Sequence, residues 1–202
     1  MDQRTDEWRQ AKCGKLGCSR LDAALAQGRN GAPSATRRNY LAELVCERLT
    51  GNVSQGFTTA EEQWGIDHES FAKAAYEARS GVIIQEHGGM EHPTIKGWWG
   101  SPDGLIGSDG GIEIKCPKTA THLDTLLRGT IDRGYILQMT GYILIYDRAW
   151  WDFISFDPRL PDRLSIFIKR FYRDDLPCAE VESGARQFLV DLESMLERLA
   201  QL

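Results

Sequence analysis

No stretch of the chain approaches the roughly 18 consecutive apolar residues that a membrane-spanning helix needs. The start, Met1-Asp2-Gln3-Arg4, also lacks the apolar centre of a secretory signal. A membrane span and export are therefore not expected, and the expected compartment is the cytoplasm. Cysteine is sparse: there are five residues, an odd number, with no C-x-x-C among them. That pattern argues against a disulfide framework and against a compact zinc module, so Cys13 and Cys18 read as reduced thiols near a packed turn. Internal repeats and low-complexity tracts are missing too, which excludes a solenoid or a disordered linker array.

What remains is a chain of 202 residues with 42% hydrophobic content, enough to bury a core as one domain over 1–202. The net charge of −5 is unevenly spread. Residues 1–50 hold nine Lys or Arg against six Asp or Glu, whereas residues 51–93 hold two against seven. Residues 94–148 balance at six each, and residues 149–202 hold seven against ten. Positive charge gathered at the front of an acidic body fits a local phosphate-binding surface, and ordinary scatter fits it as well.

The chemistry centres on Gly100-Ser101-Pro102-Asp103-Gly104-Leu105 and Gly111-Ile112-Glu113-Ile114-Lys115-Cys116-Pro117. In a strand, alternate side chains share a face, so Glu113 and Lys115 point one way while Ile112 and Ile114 fill the other. The glycine-rich run Gly107–Gly111 reverses the chain, and a hairpin brings Asp103 beside Glu113. Two adjacent carboxylates repel each other. A hard divalent cation that prefers oxygen ligands resolves the conflict, and a neighbouring ammonium can hold water or a phosphate oxygen. Asp103, Glu113 and Lys115 thus suit metal-assisted phosphodiester hydrolysis better than redox or acyl chemistry. A bare E-x-K also occurs in ordinary surface hairpins; the Pro-Asp turn, the glycines and the apolar strand at this separation are what distinguish it.

Around this motif, Trp8, Cys13 and Leu16 are expected in the core beside a short helix, and Ser19 is expected to cap a second one carrying Leu21, Ala24 and Leu25. Residues 27–34 read as an exposed loop. Thr36–Leu49 is an amphipathic helix with Tyr40, Leu41, Leu44, Val45 and Leu49 inward and Gly51 beyond its end. Arg37 and Arg38 at its start are either solvated or phosphate contacts. Thr59–Ser80 is the next helix, stopped by Gly81, with Glu69 at its middle and His68 in a structural position. Val82–Glu86 and Lys96–Trp99 read as strands leading into the Asp103 turn, Tyr135–Tyr146 as a helix, Trp150–Phe156 and Leu164–Arg170 as strands, and Ala179–Leu199 as a closing helix. The fold class is α/β, a mixed central sheet flanked by helices on both faces.

Asp103, Glu113 and Lys115 match the PD-(D/E)xK nuclease motif, and S-P-D-G…G-I-E-I-K-C-P resembles the phage lambda exonuclease and YqaJ-like recombinase branch of that superfamily. The resemblance extends from Gln3-Arg4-Thr5-Asp6-Glu7-Trp8 through Trp64-Gly65-Ile66-Asp67-His68-Glu69 to Gln138 and to Phe156-Asp157-Pro158-Arg159. It implies a restriction-endonuclease-like core and an enzyme that digests one strand of linear duplex DNA from its 5′ end. A 3′ single-stranded tail would be left for recombination by annealing. It further implies two Mg²⁺ ions, or Mn²⁺, held by Asp103, Glu113, Glu69 and the backbone carbonyl of Ile114, with Lys115 positioning the attacking water. Spacing alone leaves Glu69 open between a ligand and a solvated acid, and Gln138 between orienting water and a structural bond to the backbone or Tyr135. No iron–sulfur cluster is expected, because only Cys178 follows Cys116. A ring-shaped homotrimer, a phage single-strand annealing partner and the cytosol of a bacterial or prophage host belong to the same implication. An endonuclease of the same superfold is the runner-up, and a non-catalytic DNA-binding subunit is the third reading, against which an intact triad counts.

By the same resemblance a terminal 5′ phosphate sits near Trp8 against Lys12, Ser19 and Ser101. The chain departs from the family in two places. Lys12 stands where the W-x-x-x-R-x-G element usually has arginine, and Thr121 stands at a further basic position. Lysine offers a point charge without the planar fork of arginine, so the expectation is either weaker phosphate capture or capture shared with Lys118 or His122.

Overall fold

Helices start here where hydroxyl side chains can satisfy free backbone amides, and several stop at glycines in the left-handed region. The structure, a computed structural model, describes residues 3–53 and 59–202. In chain order the elements are α1 (Asp6–Lys12), β1 (Leu16–Gly17), α2 (Leu21–Ala24), α3 (Ala35–Thr50) and α4 (Ala60–Ser80). Next come β2 (Met90–Glu91), β3 (Trp98–Gly100), β4 (Gly104–Ile106), β5 (Gly110–Lys115), α5 (Thr119–Arg128) and α6 (Arg133–Tyr146). The chain closes with β6 (Trp150–Phe156), α7 (Asp162–Ser165), β7 (Ile166–Tyr172) and α8 (Cys178–Leu199). Ser34 caps α3 by accepting from the Arg37 amide, and α3 ends at Gly51 with φ 69°. Thr59 and Glu62 form a reciprocal capping box on α4, which ends at Gly81 with φ 72°. No helix among the described residues is long and apolar enough to cross a membrane.

The central sheet runs β4-β5-β6-β7, with β5 and β6 parallel and the other pairs antiparallel. Its two faces follow the two-residue period of the strands. Ile112, Ile114, Ile154 and Phe156 pack on one face against Ala72 and Tyr76 of α4. Trp151 and Phe153 pack on the other, where Tyr142 and Tyr135 of α6 stack on them at 5.3 and 5.6 Å. Val181 and Phe188 of α8 are fully buried in the same cluster. Helices therefore cover both faces, as the sequence pattern indicates. Asp152 pins α4 to the sheet: Tyr76 donates to it at 2.6 Å, and Arg170 of β7 donates at 2.8 and 2.9 Å. This buried, charge-assisted cluster fixes the orientation of the helix that carries Glu69.

Several expected elements differ. Val82–Glu86 is not a strand; it makes a single bridge, Gln85 to Leu105. The strand expected at Lys96–Trp99 is Trp98–Gly100, and it joins a separate three-stranded sheet, β1-β3-β2, because Pro102 has no amide with which to carry the ladder on toward Asp103. Gly110 and Gly111 are not turn residues but the start of β5, where a Cβ on Gly111 would lie 2.3 Å from the Trp151 ring. β7 starts at Ile166 rather than Leu164, since Pro161 opens the helical turn α7 ahead of it. Ser19 caps nothing: it lies within a 3₁₀ turn at Cys18–Arg20, and α2 begins after it without a side-chain cap. Leu16 is fully buried, but Trp8 and Cys13 are only partly so. Leu49, in the last turn of α3, is 63% exposed because that turn runs past the core. The helix α5 went unrecognised in the sequence.

Candidate active site

Strand pairing builds the site. The register Gly104 to Ile112 sets Asp103, just ahead of β4, beside Glu113 and Ile114 of β5. Asp103 Oδ2 accepts from the Ile114 amide at 2.6 Å, which locks the acid against the strand. Lys115 Nζ lies 2.6 Å from Glu113 Oε1 on the shared face, as alternation requires. It also donates at 3.5 Å to Gln138 Oε1 on α6. Gln138 Nε2 donates to Tyr142 at 2.9 Å, and Tyr142 donates to the Ser101 carbonyl at 3.0 Å. Gln138 thus bonds Tyr142 and not Tyr135. Tyr135 instead puts its ring 4.8 Å from the Lys115 ammonium.

Electrostatics at this cluster are under tension. Burial, then the charge of Glu113, pushes Asp103 well above the usual carboxylate range. Burial likewise raises Glu113, although Lys115 opposes it. Burial alone would lower Lys115, but the carboxylates of Glu113 and Asp103 outweigh it and hold the ammonium protonated. Glu113 is 1% exposed and its Oε2 has no hydrogen-bond partner among the described residues. A buried, unsatisfied carboxylate oxygen next to a second raised carboxylate is a donor set that a hard divalent cation fits. Among the described residues no three His, Cys, Asp or Glu side chains converge enough to hold a cation alone. Glu69 borders the same cleft as Asp103, with its oxygens held by Arg4 at 2.6 Å and Lys73 at 3.0 Å.

Two clefts meet at Asp103 and Lys115. One, of about 870 Å³, runs past Trp64, Glu69, Lys118, Tyr135 and Arg159. The other, of about 730 Å³, runs past Ser19, Ser101, Glu113, Gln138 and Tyr142. Arg4, Trp8 and Lys12 border both. Trp8, Lys12, Ser19 and Ser101 therefore line one cleft, although Ser101 lies far from the other three in sequence. Trp8 Nε1 donates to Ser101 Oγ at 2.8 Å, and that hydroxyl donates onward to the Gly88 carbonyl at 2.8 Å. Lys12 Nζ sits 4.0 Å over the Trp8 ring, and burial lowers its pKa.

Other expected contacts are not assembled here. His122 is fully buried, with Nδ1 2.7 Å from Ser155 Oγ and Nε2 donating to the Leu164 carbonyl at 2.8 Å, so it has no access to a phosphate. Lys118 borders the first cleft, as Lys12 does, but pairs with Glu61 at 2.6 Å, and Thr121 is exposed on α5 outside the lining of both clefts. Arg37 turns to Asp191 on α8 at 2.8 Å, and Arg38 donates to the Pro33 carbonyl at 2.7 Å. His68 bonds the Trp64 carbonyl at 2.9 Å, the structural role expected of it. The sequence alone assigns no role to Arg4 or Arg159, and to Tyr135 only that of a partner for Gln138. The only signal for Arg4 and Arg159 was that both lie inside stretches of family resemblance.

A family model described as the YqaJ-like viral recombinase domain matches residues 7–148. Two crystal structures of an alkaline exonuclease from Laribacter hongkongensis, LHK-Exo, one of them in complex with dAMP, are 42% identical to the chain with a TM-score of 0.90. Each match covers 98% of this chain and 97% of the other. A phage-related exonuclease from Haemophilus somnus 129PT, 18% identical over 90% of this chain and 96% of its own, shares the fold with a TM-score of 0.67. No curated protein sequence matches the chain.

Proposed function

The chain belongs to the YqaJ-like viral recombinase family, and from that premise we propose that it is a divalent-metal-dependent exodeoxyribonuclease that digests one strand of linear duplex DNA from the 5′ end. The observation that carries the reading is the Asp103–Glu113–Lys115 cluster with its orphaned Glu113 oxygen, lying where two clefts meet. Mg²⁺ or Mn²⁺ ions bound by Asp103 and Glu113, with Glu69 and the Ile114 carbonyl completing the set, would supply Lewis-acid charge to the attacking and leaving oxygens.

Lys115, whose ammonium lies 2.6 Å from Glu113 Oε1, serves in this reading as a hydrogen-bond donor. It holds water or a non-bridging phosphate oxygen, stabilising charge as the bond breaks. Gln138, whose amide is oriented by Tyr142, offers its carbonyl oxygen to the same water. Trp8, Lys12, Ser19 and Ser101 line the pocket for a terminal 5′ phosphate, where the lysine supplies charge and Ser19 a hydrogen bond, while Ser101, whose hydroxyl donates to the Gly88 carbonyl, would have to turn from that carbonyl to donate to the phosphate. LHK-Exo, crystallised with dAMP, supports a site that accommodates a released mononucleotide. A ring-like homotrimer around the duplex and cooperation with an annealing protein on the 3′ tail follow from family likeness; light scattering at micromolar concentration tests the first, and a monomeric mass would remove it.

Acid-soluble nucleotide released from linear duplex in Mg²⁺, in EDTA, and from a covalently closed circle tests the proposal. Release from the linear form alone, only with metal, is expected. Cutting of the circle would make the protein an endonuclease, and DNA binding without release would make it a non-catalytic subunit.

A further inference from the structure

Along the first cleft, Trp64 packs against two flat side chains. His68 stacks on one face at 3.6 Å between ring centroids and 23° between planes. The Arg159 guanidinium lies on the ring at 4.3 Å. Arg159 is held flat by Asp157, which is 0% exposed and accepts from Nε at 2.7 Å and from a terminal nitrogen at 3.0 Å. The edge formed by Nε and that terminal nitrogen is therefore used, and the same nitrogen also donates to the Pro117 carbonyl at 3.3 Å. Its side chain is nevertheless 46% exposed and borders the cleft that leads to Asp103 and Lys115. With one face on the indole, the opposite face of a rigid, planar cation remains, together with its second terminal nitrogen at the rim. Such a surface suits a flat π system and is a poor match for another carboxylate.

We propose that the outer face of Arg159 is a stacking site for a nucleobase of the digested strand, extending the His68–Trp64–Arg159 stack by one layer. The assignment rests on the exonuclease reading above, which also sets its position. If the second cleft, with Ser19 and Ser101, receives the terminal nucleotide, then the first receives the strand on the 3′ side of the scissile bond. Stacking is indifferent to base identity, so the site takes any sequence, and it holds the next nucleotide in line as each one is removed.

The probes are 5′-phosphorylated linear duplexes with one abasic residue at nucleotide 1, 2, 3 or 4 of the digested strand. Initial rates of release are compared for the wild type and Arg159→Lys, which keeps a cation for Asp157 but loses the plane. Melting temperature reports whether the variant is folded, and 2-aminopurine at the same positions, bound in Ca²⁺, reports stacking by quenching. Wild type should lose on the order of 10-fold in kcat/KM for an abasic residue at nucleotide 2 or 3. Arg159→Lys should be slower by a similar factor on intact DNA, insensitive to the missing base there, and reduced in quenching. A wild type that digests intact duplex but ignores every abasic position overturns the stacking site and leaves the nuclease reading standing. Equal discrimination by the variant also overturns it, because the contact would then not need the plane. A protein that releases nothing from any duplex overturns both.

Discussion

Replacing Lys115 by methionine keeps most of the side-chain volume and removes the only cation within ion-pair distance of Glu113 among the described residues. Glu113 is 1% exposed and one of its oxygens already lacks a partner, so the variant strands a buried carboxylate. Breaking a buried pair from one side costs about 3–5 kcal/mol. Because the Lys115 side chain is itself 28% exposed, water screens the site and the lower end of that range applies. About 3 kcal/mol corresponds to a fall of roughly 6–12 °C in Tm for a chain of this size. In a Glu113→Gln background the same replacement no longer strands Glu113, although Asp103 still loses a neighbouring cation, so the loss should shrink, and the difference between the two is the coupling energy. Activity should not follow this rescue. Loss of a donor aimed at developing charge lowers kcat by roughly 100- to 1000-fold, with DNA affinity largely retained. Melting in EDTA for the four proteins of the cycle, with single-turnover rates on linear duplex in Mg²⁺, measures both. A rate near wild type for Lys115→Met would refute the role given to the lysine, and an equal loss of Tm in both backgrounds would refute the buried pair.

Lys12→Ala should slow digestion of 5′-phosphorylated ends by roughly 10- to 100-fold, the worth of one charged hydrogen bond of about 1.5–3 kcal/mol, and slow 5′-hydroxyl ends less; an equal loss on both ends would show that Lys12 does not read the phosphate. Mg²⁺ at 100 times its Kd should stabilise the wild type by about 2.7 kcal/mol, or roughly 5–11 °C in Tm; Asp103→Asn should abolish that rise, and a retained rise would remove Asp103 from the ligand set. Burial alone would raise Asp157, but its bonds to Arg159 and Thr119 prevail and hold it at about 2. Its unfolded pKa is about 4, so the unfolded chain takes up the proton first, and this stability is present above about pH 4 and lost as pH falls toward 2. Acid unfolding of Asp157→Asn should lack that component, and an unchanged acid transition would contradict it.

Local pattern made much of the site legible. Alternation in Gly111–Lys115 alone puts Glu113 and Lys115 together, and the hairpin glycines are enough to bring Asp103 beside them. The stops at Gly51 and Gly81 mark the ends of α3 and α4 from local sequence, since each acts within a few residues of itself, whereas the caps at Ser34 and Thr59 emerge only in the structure. What stayed hidden depends on pairing across long separations. Leu16 and Gly17 pair with Trp98 and Trp99, and no property of either segment announces the other. Val82–Glu86 has strand composition but finds only one bridge, because composition does not specify a partner. His122 looked available for a phosphate until Ser155 and the Leu164 carbonyl enclosed it. Lys12, Ser19 and Ser101 were joined by resemblance alone; the bond from Trp8 to Ser101 gives part of that grouping a physical basis.

Strand polarity is tested most directly with one linear duplex, 5′-phosphorylated at both ends, carrying a label on the 5′-terminal nucleotide in one preparation and on the 3′-terminal nucleotide of the same strand in another. With Mg²⁺, the 5′ label should appear as mononucleotide from the earliest times, while the 3′ label stays in long single strands until late in digestion. EDTA and Asp103→Asn should leave both labels in duplex. Early release of the 3′ label, or simultaneous appearance of internal fragments, would contradict a 5′-to-3′ exonuclease built on Asp103, Glu113 and Lys115.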